Sequence, residues 1–267
     1  KESALLFTEM GGVKALVAAA DPDDADLRGM VALGLGRVFS AYDDDNAVQT
    51  RVKADILPLL APSRGALEQA NGAAALLSVF MVNVSVGVWA VQLDAASSST
   101  GTGATLSNLC KLAVQGAAIV QAMVVSIFSH MVNDEAGRAV VAQESVMAVL
   151  QLLMSCDTPA VRAGAAVAVA KAKAIESKYG FKADTPEGQR LLDSVTAMLS
   201  EKLPEKQRDE ELAMRVQGIE ALSYLMSSTV AKQACVRAGS NKKKKKGKSG
   251  STSVVAALVS LAKDAEL

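Results

Sequence analysis

One apolar pattern occurs three times in this chain, and it constrains the fold more than any other feature of the sequence. The spacing i, i+3, i+4, i+7 places four apolar side chains on one face of an α-helix. The three copies are Val13, Leu16, Val17 and Ala20, then Val146, Val149, Leu150 and Leu153, then Val254, Ala257, Leu258 and Leu261. Each copy predicts an amphipathic helix that has to bury one face against a neighbour.

Each copy also has similar surroundings. A short helical stretch precedes each copy; these stretches are Ala4 to Glu9, Glu135 to Ala142 and Thr229 to Arg237. A longer predicted helix follows each of the first two copies, Ala25 to Phe39 after the first and Ala160 to Ile175 after the second. A short, a medium and a long helix repeated every 40 to 47 residues or so is the pattern of an armadillo repeat. The sequence therefore predicts an all-α fold, an armadillo-type superhelix (solenoid) of about six repeats, some of them degenerate.

Three polar loops interrupt this predicted stack. They lie at residues 95–103, 178–184 and 239–252, and the last contains the lysine-rich run Lys242 to Lys248. Segments of this composition are typical of flexible, solvated linkers. We therefore divide the chain into residues 1–177, with the central repeats, and residues 178–267, with further repeats and the lysine-rich loop.

Composition argues against several classes of function. The 28 basic and 28 acidic residues balance, so the whole molecule has no electrostatic reason to bind nucleic acid. The chain contains one histidine, His130, and three separated cysteines, Cys110, Cys156 and Cys235. Clustered imidazoles, thiolates or paired carboxylates are absent from its motifs, so we predict no enzyme activity, no catalytic or metal site, and no cofactor.

The cysteines are odd in number and far apart in the sequence, so they do not suggest a disulfide framework. The start of the chain lacks the pattern of a secretion signal. These two observations predict a cytoplasmic protein. The first residue, Lys1, is not a methionine, which indicates a piece of a longer protein.

Two uncharged stretches raise a membrane alternative. Gln69 to Leu93 and Leu112 to Asn133 are each long enough to span a bilayer. Polar residues interrupt both, and neither has basic clusters or aromatic belts at its two ends. Buried helices of a solenoid are the favoured interpretation, and a protein with two spanning helices is the alternative.

Other motifs favour ordinary structural roles. The lysine run could contact an acidic partner, but a solvated loop is the simpler interpretation. The acidic turns at Asp21 to Asp26 and Asp43 to Asp45 lack the pattern of a calcium loop, so we expect helix caps there. Several methionines could line an adaptable peptide groove, although core filling is the default; they are Met10, Met123, Met131, Met147, Met154 and Met198.

The stretch Met214 to Leu225, with Gly218-Ile219-Glu220-Ala221-Leu222-Ser223-Tyr224-Leu225 at its end, resembles a helix of the UCS family, the Unc-forty-five-like chaperones of myosin. Leu27 to Phe39 resembles an earlier helix of that family, Pro159 to Ala174 a second one, and Val254 to Lys263 a later one. These similar stretches follow one another in the family's order.

This resemblance implies the central armadillo domain and the start of the UCS region of a myosin co-chaperone. The implied partners are a myosin motor domain and an Hsp90-class chaperone, and the implied action is client binding without turnover. A general armadillo adaptor is the alternative, although its nuclear-cargo versions carry repeated tryptophans and this chain has only Trp89. The sequence alone leaves the binding residues unknown, because a groove is formed by residues far apart in the chain.

Overall fold

The computed structural model describes residues 2–19, 24–42, 44–93, 104–174, 181–182, 185–227, 232–235 and 257–259. Within these ranges all regular structure is helical and there is no strand, which confirms the all-α prediction. The chain forms two compact units, residues 1–146 and 147–267. The division that we predict after residue 177 stays a prediction.

The first unit consists of short and long helices. They are α1 (Glu2–Glu9), α2 (Gly12–Ala19), α3 (Ala25–Phe39), α4 (Asp45–Arg51), α5 (Ala66–Val82), α6 (Val84–Gln92), α7 (Ala104–Gln115), α8 (Ala118–Met131) and α9 (Glu135–Val141). After α4 the chain continues through a π-helical turn, Val52–Ile56, and a 3₁₀ turn, Leu57–Leu60. The predicted bounds of α3 agree with the observed helix at both ends.

Three long helices organise this unit. Helix α3 packs against α5, and α5 packs against α8. They begin at residues 25, 66 and 118, so successive long helices start 41 and 52 residues apart. Large side chains from all three fill the core between them, including the fully buried Leu35, Leu76, Phe80 and Phe128.

The second unit repeats the pairing of long helices. Helix α10 (Glu144–Leu153) crosses the boundary between the units and is followed by α11 (Pro159–Ala174), α12 (Pro186–Ser200) and α13 (Arg208–Leu225). Both α11 and α12 begin at a proline, Pro159 and Pro186, whose missing N–H costs nothing at the first helical position. At the second start, the Thr185 hydroxyl accepts a hydrogen bond of 3.1 Å from the backbone N–H of Gly188.

Small side chains let α11 lie close to its neighbour α13. Six of its alanines, Ala163, Ala165, Ala166, Ala168, Ala170 and Ala172, are buried, and α11 packs along α13 while α12 contacts both. Lys171 on α11 joins the pair at the edge: its Nζ lies 3.1 Å from the Glu220 carboxylate and 5.2 Å from the centre of the Tyr224 ring, both on α13. Gly218, in the stretch that resembles the UCS family, faces α12, where a Cβ would lie 3.1 Å from that of Met198.

Each uncharged stretch that raised the membrane alternative is divided into two helices. Asn83 separates α5 from α6, where its side chain accepts a hydrogen bond from Val86 N–H at 3.1 Å and donates one of 2.7 Å to Asp45. Gly116 and Ala117 separate α7 from α8. In the part of the chain that the structure describes, no helix combines the length and the apolarity that crossing a bilayer requires.

Several sequence predictions lie outside the described residues. These are the loop at 95–103, most of the loop at 178–184, the lysine-rich loop at 239–252 and most of the helix expected over Val254 to Lys263.

Gly137 is the position where the first unit tolerates a side chain least. It lies in the first turn of α9, close behind the end of α8, and a Cβ there would overlap the carbonyl group of Met131. We expect Gly137→Ala to lower the free energy of unfolding by about 1–3 kcal/mol, because the two helix ends have to move apart. Urea unfolding followed by far-ultraviolet circular dichroism measures the change.

Gly65→Ala is the matched control, since the nearest atom to a Cβ at that position is a Glu68 carboxylate oxygen at 3.9 Å. We expect less than about 1 kcal/mol there, the scale of a changed helix N-cap. Equal losses for both variants would contradict the close approach of α8 and α9.

Candidate functional site

An apolar groove of about 770 Å³ crosses the first unit, and its walls are the three long helices α3, α5 and α8. We call it the α3–α5–α8 groove. Ligand sites in proteins are concave, mostly apolar and of this size. The groove is therefore the leading candidate for a functional site.

Each of the three helices contributes side chains from one face. The lining residues follow the spacing i, i+3, i+4, i+7 on every helix, as Leu33, Gly36, Arg37 and Ser40 on α3, as Ala74, Leu77, Ser78 and Met81 on α5, and as Ile119, Ala122, Met123 and Ser126 on α8. Val82 on α5 completes the lining. These are second apolar faces, because the opposite faces of the same helices fill the core.

Small residues form the floor of the groove and larger ones stand at its sides. Gly36, Ala74 and Ala122 leave the space open, whereas Leu33 and Met81 are each 66% exposed and Val82 is 43% exposed. Large apolar side chains that cluster at the surface typically mark an interaction site. Covering them would remove apolar area from water at about 25 cal/mol per Å².

The groove offers few hydrogen bonds to a ligand. The Ser78 hydroxyl is buried and donates to the carbonyl of Ala74 in its own helix, at 2.9 Å. The Ser40 hydroxyl donates in the same way to the carbonyl of Arg37, at 3.1 Å. Asparagine, glutamine and aromatic side chains do not occur among the lining residues. Recognition in this groove consequently depends on shape and apolar contact.

Arg37 is the one charged residue among those that line the groove. It is exposed in the last turn of α3, and it makes no ion pair with any residue that the structure describes. A cation next to an otherwise apolar surface attracts a ligand group of negative charge. Among its lining residues, the groove thus has one positive charge that can attract an acidic group of a ligand.

The second unit contains a smaller cavity of about 410 Å³ between α11 and the start of α12. Charged side chains surround it, among them Lys173, whose Nζ lies 3.8 Å from the Glu187 carboxylate. Arg190 bonds the Pro186 carbonyl of its own helix at 3.3 Å. Lys173 and Arg190 thus already have partners within the protein, and the cavity is smaller, so it is a weaker candidate than the α3–α5–α8 groove.

The methionines that the sequence analysis singled out divide between core and surface. Met131, Met154 and Met198 are buried, as the core interpretation predicts, whereas Met10 is 79% exposed. Met123 reaches the α3–α5–α8 groove from its buried position on α8, and Met147 lines the cavity of the second unit. One of the six therefore contributes to the candidate site.

The acidic turns act as helix caps where the structure describes them. Asp24 accepts a hydrogen bond of 2.9 Å from the N–H of Leu27 at the start of α3, and Asp44 accepts one of 2.9 Å from Asn46 at the start of α4. His130 is half-buried on α8. Across the described ranges, no three His, Cys, Asp or Glu side chains come close enough together to hold a metal ion.

Sequence reasoning missed Leu33, Met81 and Arg37 as groove residues. The i, i+3, i+4, i+7 pattern of apolar residues was used only to predict the faces that meet the core. A second apolar face on the same helix has the same spacing, so the pattern does not tell the two faces apart. A usable signal does exist in α5, where Leu77 and Met81 keep the i, i+4 spacing on a face about 100° from that of Leu76 and Phe80.

Compared with models of protein families and with curated proteins, the sequence gives no match.

The exposed apolar side chains of the groove lead to a prediction about dye binding. We expect the protein to enhance the fluorescence of Nile red, an uncharged probe of exposed apolar surface. Met81→Lys should lower that enhancement by about half or more, because it places a charge in the groove. The thermal midpoint should change little, since Met81 is 66% exposed.

Leu67→Lys is the control, because Leu67 is 56% exposed on the same helix but does not line the groove. An equal loss of fluorescence in both variants would show that the dye binds elsewhere.

Two of the three cysteines, Cys110 and Cys235, lie in surroundings that disfavour the charged thiolate. Burial raises the pKa of the Cys110 thiol from 9.0 to about 11, and it also raises the pKa of Cys235. At pH 8 the Cys110 thiolate is therefore about 100-fold scarcer than for an ordinary thiol. We expect iodoacetamide to alkylate Cys110 in the native protein about 100-fold more slowly than in the urea-unfolded chain, as peptide mass spectrometry would measure.

The same shift makes stability depend on pH. The contribution of the buried thiol is present below pH 9 and is lost as the pH rises from about 9 to about 11, because the unfolded chain releases the proton first. Equal alkylation rates in the native and unfolded states would contradict the burial of Cys110.

Proposed function

We propose that this protein is a binding scaffold that holds a client polypeptide in the α3–α5–α8 groove and carries out no chemistry on it. The observation that carries this proposal is the groove itself, with its apolar floor and the exposed Leu33, Met81 and Val82 at its sides. A patch of this kind is costly to leave in water unless a partner covers it.

The groove is better suited to binding than to turnover. General acid–base or nucleophilic catalysis needs a titratable side chain within hydrogen-bond reach of the reacting atoms. The only charged lining residue is Arg37, and no carboxylate, imidazole or thiol occurs among the lining side chains. Its role in our proposal is therefore electrostatic attraction.

We further propose that the fold is a solenoid of armadillo type. The spacing of 41 residues between the starts of α3 and α5 lies within the armadillo range, and the same spacing of 41 separates α8 from α11. Short helices fill the intervals in each case. A stack of this kind presents its long helices side by side, which is the arrangement that lines the groove.

The finer proposal is a myosin-directed co-chaperone that acts in the cytoplasm with an Hsp90-class chaperone. The ordered resemblance to the UCS family supports it, and each of the first three resembling stretches falls on a long helix. Leu27 to Phe39 lies in α3, Pro159 to Ala174 is α11, and Met214 to Leu225 lies in α13. A general armadillo adaptor would share the groove but bind a different client.

Co-expression with a myosin motor domain tests both levels of this proposal. We expect the wild-type protein to raise the soluble fraction of the motor domain at least twofold and to be recovered with it by affinity capture. Met81→Lys should reduce both effects, because the charge opposes burial of the groove. Leu67→Lys should behave as the wild type does.

The outcomes test the groove as the client site and myosin as the client separately. Capture that Met81→Lys does not weaken would contradict the groove as the client site. No capture and no gain in soluble motor domain would contradict the myosin client. The general armadillo adaptor, with a different client in the same groove, would then be the surviving proposal.

A further inference from the structure

We infer that the occupant of the α3–α5–α8 groove is a partner's amphipathic α-helix, with an acidic residue at the end that meets Arg37. The inference rests on the proposed function and adds the conformation and charge of the bound segment. Three properties of the groove lead to it: its small number of free hydrogen-bonding groups, its dimensions and its single cation among the lining residues.

Hydrogen bonding separates a helical occupant from an extended one. An extended segment leaves its backbone N–H and C=O groups without partners unless the site supplies them, and each group costs about 1–3 kcal/mol when it is buried unpaired. The groove supplies few, because the Ser40 and Ser78 hydroxyls donate to their own helices and no amide side chain lines it, which leaves the Ser126 hydroxyl and the Arg37 guanidinium. A helix satisfies its own backbone and needs only apolar contact.

The dimensions of the groove suit a short helix. Helices α3 and α8 both pack on α5, and neighbouring axes lie about 8–10 Å apart in such packing, so the groove crosses about 16–20 Å. A helix rises about 1.5 Å per residue, and about 12 residues span that width. The small side chains of Gly36, Ala74 and Ala122 give a helix backbone room to approach the floor.

Charge sets which end of the bound helix lies at α3. Arg37 is exposed on α3 and has no ion-pair partner among the described residues, while the lining residues of α5 and α8 carry no charge. A Glu or Asp on the partner helix therefore finds a complementary charge at the α3 side and at no other lining residue that the structure describes. We expect apolar residues at i, i+3 or i+4, and i+7, followed or preceded by that acid.

A display library of random 16-residue peptides, selected on the full chain and counter-selected on Met81→Lys, tests the inference. We expect enriched peptides to carry this helical spacing and an acid, to lack internal proline, and to gain helical circular dichroism on binding. Enrichment of alternating or proline-rich peptides that still depend on Met81 would overturn the helical occupant and leave the proposed function standing. If no peptide depends on Met81, or if the protein dimerises through the groove, both fail.

Arg37→Glu tests the charge separately, and the exposure of Arg37 makes it a mild substitution for the fold. An enriched peptide should lose about three- to fivefold in affinity for the wild-type protein when its acid becomes lysine, the scale of an exposed ion pair. The order of the two peptides should reverse on Arg37→Glu, and the preference should shrink in 0.5 M NaCl. An unchanged order would overturn the pairing with Arg37.

Discussion

Close contact between long helices is the interaction on which the rest of this structure depends. Only 3% of the residues are aromatic, so few side chains are large enough to fill wide gaps between helices. The chain instead brings helices together with alanine and other small residues, as α11 does along α13. Dispersion and apolar burial both increase as packing approaches the density of a crystal. Each long helix is therefore stabilised mainly by the long helix beside it, and the ion pairs at the edges, such as Lys171 with Glu220, add a local preference for one arrangement.

The same packing creates the candidate site. A helix that contacts neighbours on two sides has a third side that no neighbour covers, and that side is mainly apolar in α5 and α8, while α3 adds the exposed Leu33. Exposed apolar faces normally cost solubility, so their alignment across three separate helices calls for an explanation. Binding supplies one, because a partner that lies across all three helices removes the exposed faces from water together. The groove residues therefore follow from the order in which the long helices stack.

Sequence patterns predicted the helices better than the surface between them. The bounds of α3 and the proline starts of α11 and α12 follow from capping residues and apolar spacing, which act within a few residues of each other. The groove joins Leu33 to Ser126 and depends on which faces the tertiary packing leaves open. Phe80 and Met81 make the difficulty concrete, because they are adjacent and similarly apolar, yet the first is fully buried and the second is 66% exposed. In a helix that is apolar on all sides, the sequence carries little information about which face meets the core.

An apolar groove with few free hydrogen-bonding groups also discriminates among the states of its client. A fully unfolded segment has to become helical as it binds, and the ordering of such segments commonly costs about 2–5 kcal/mol of the interaction energy. A segment that is already helical avoids most of that cost, so under our proposal the groove favours partly folded clients whose helices have formed but whose apolar faces are still uncovered. Once the client buries that face in its own core, the binding partner for Leu33 and Met81 is gone. Folding of the client then releases it, and the scaffold needs no chemical step of its own.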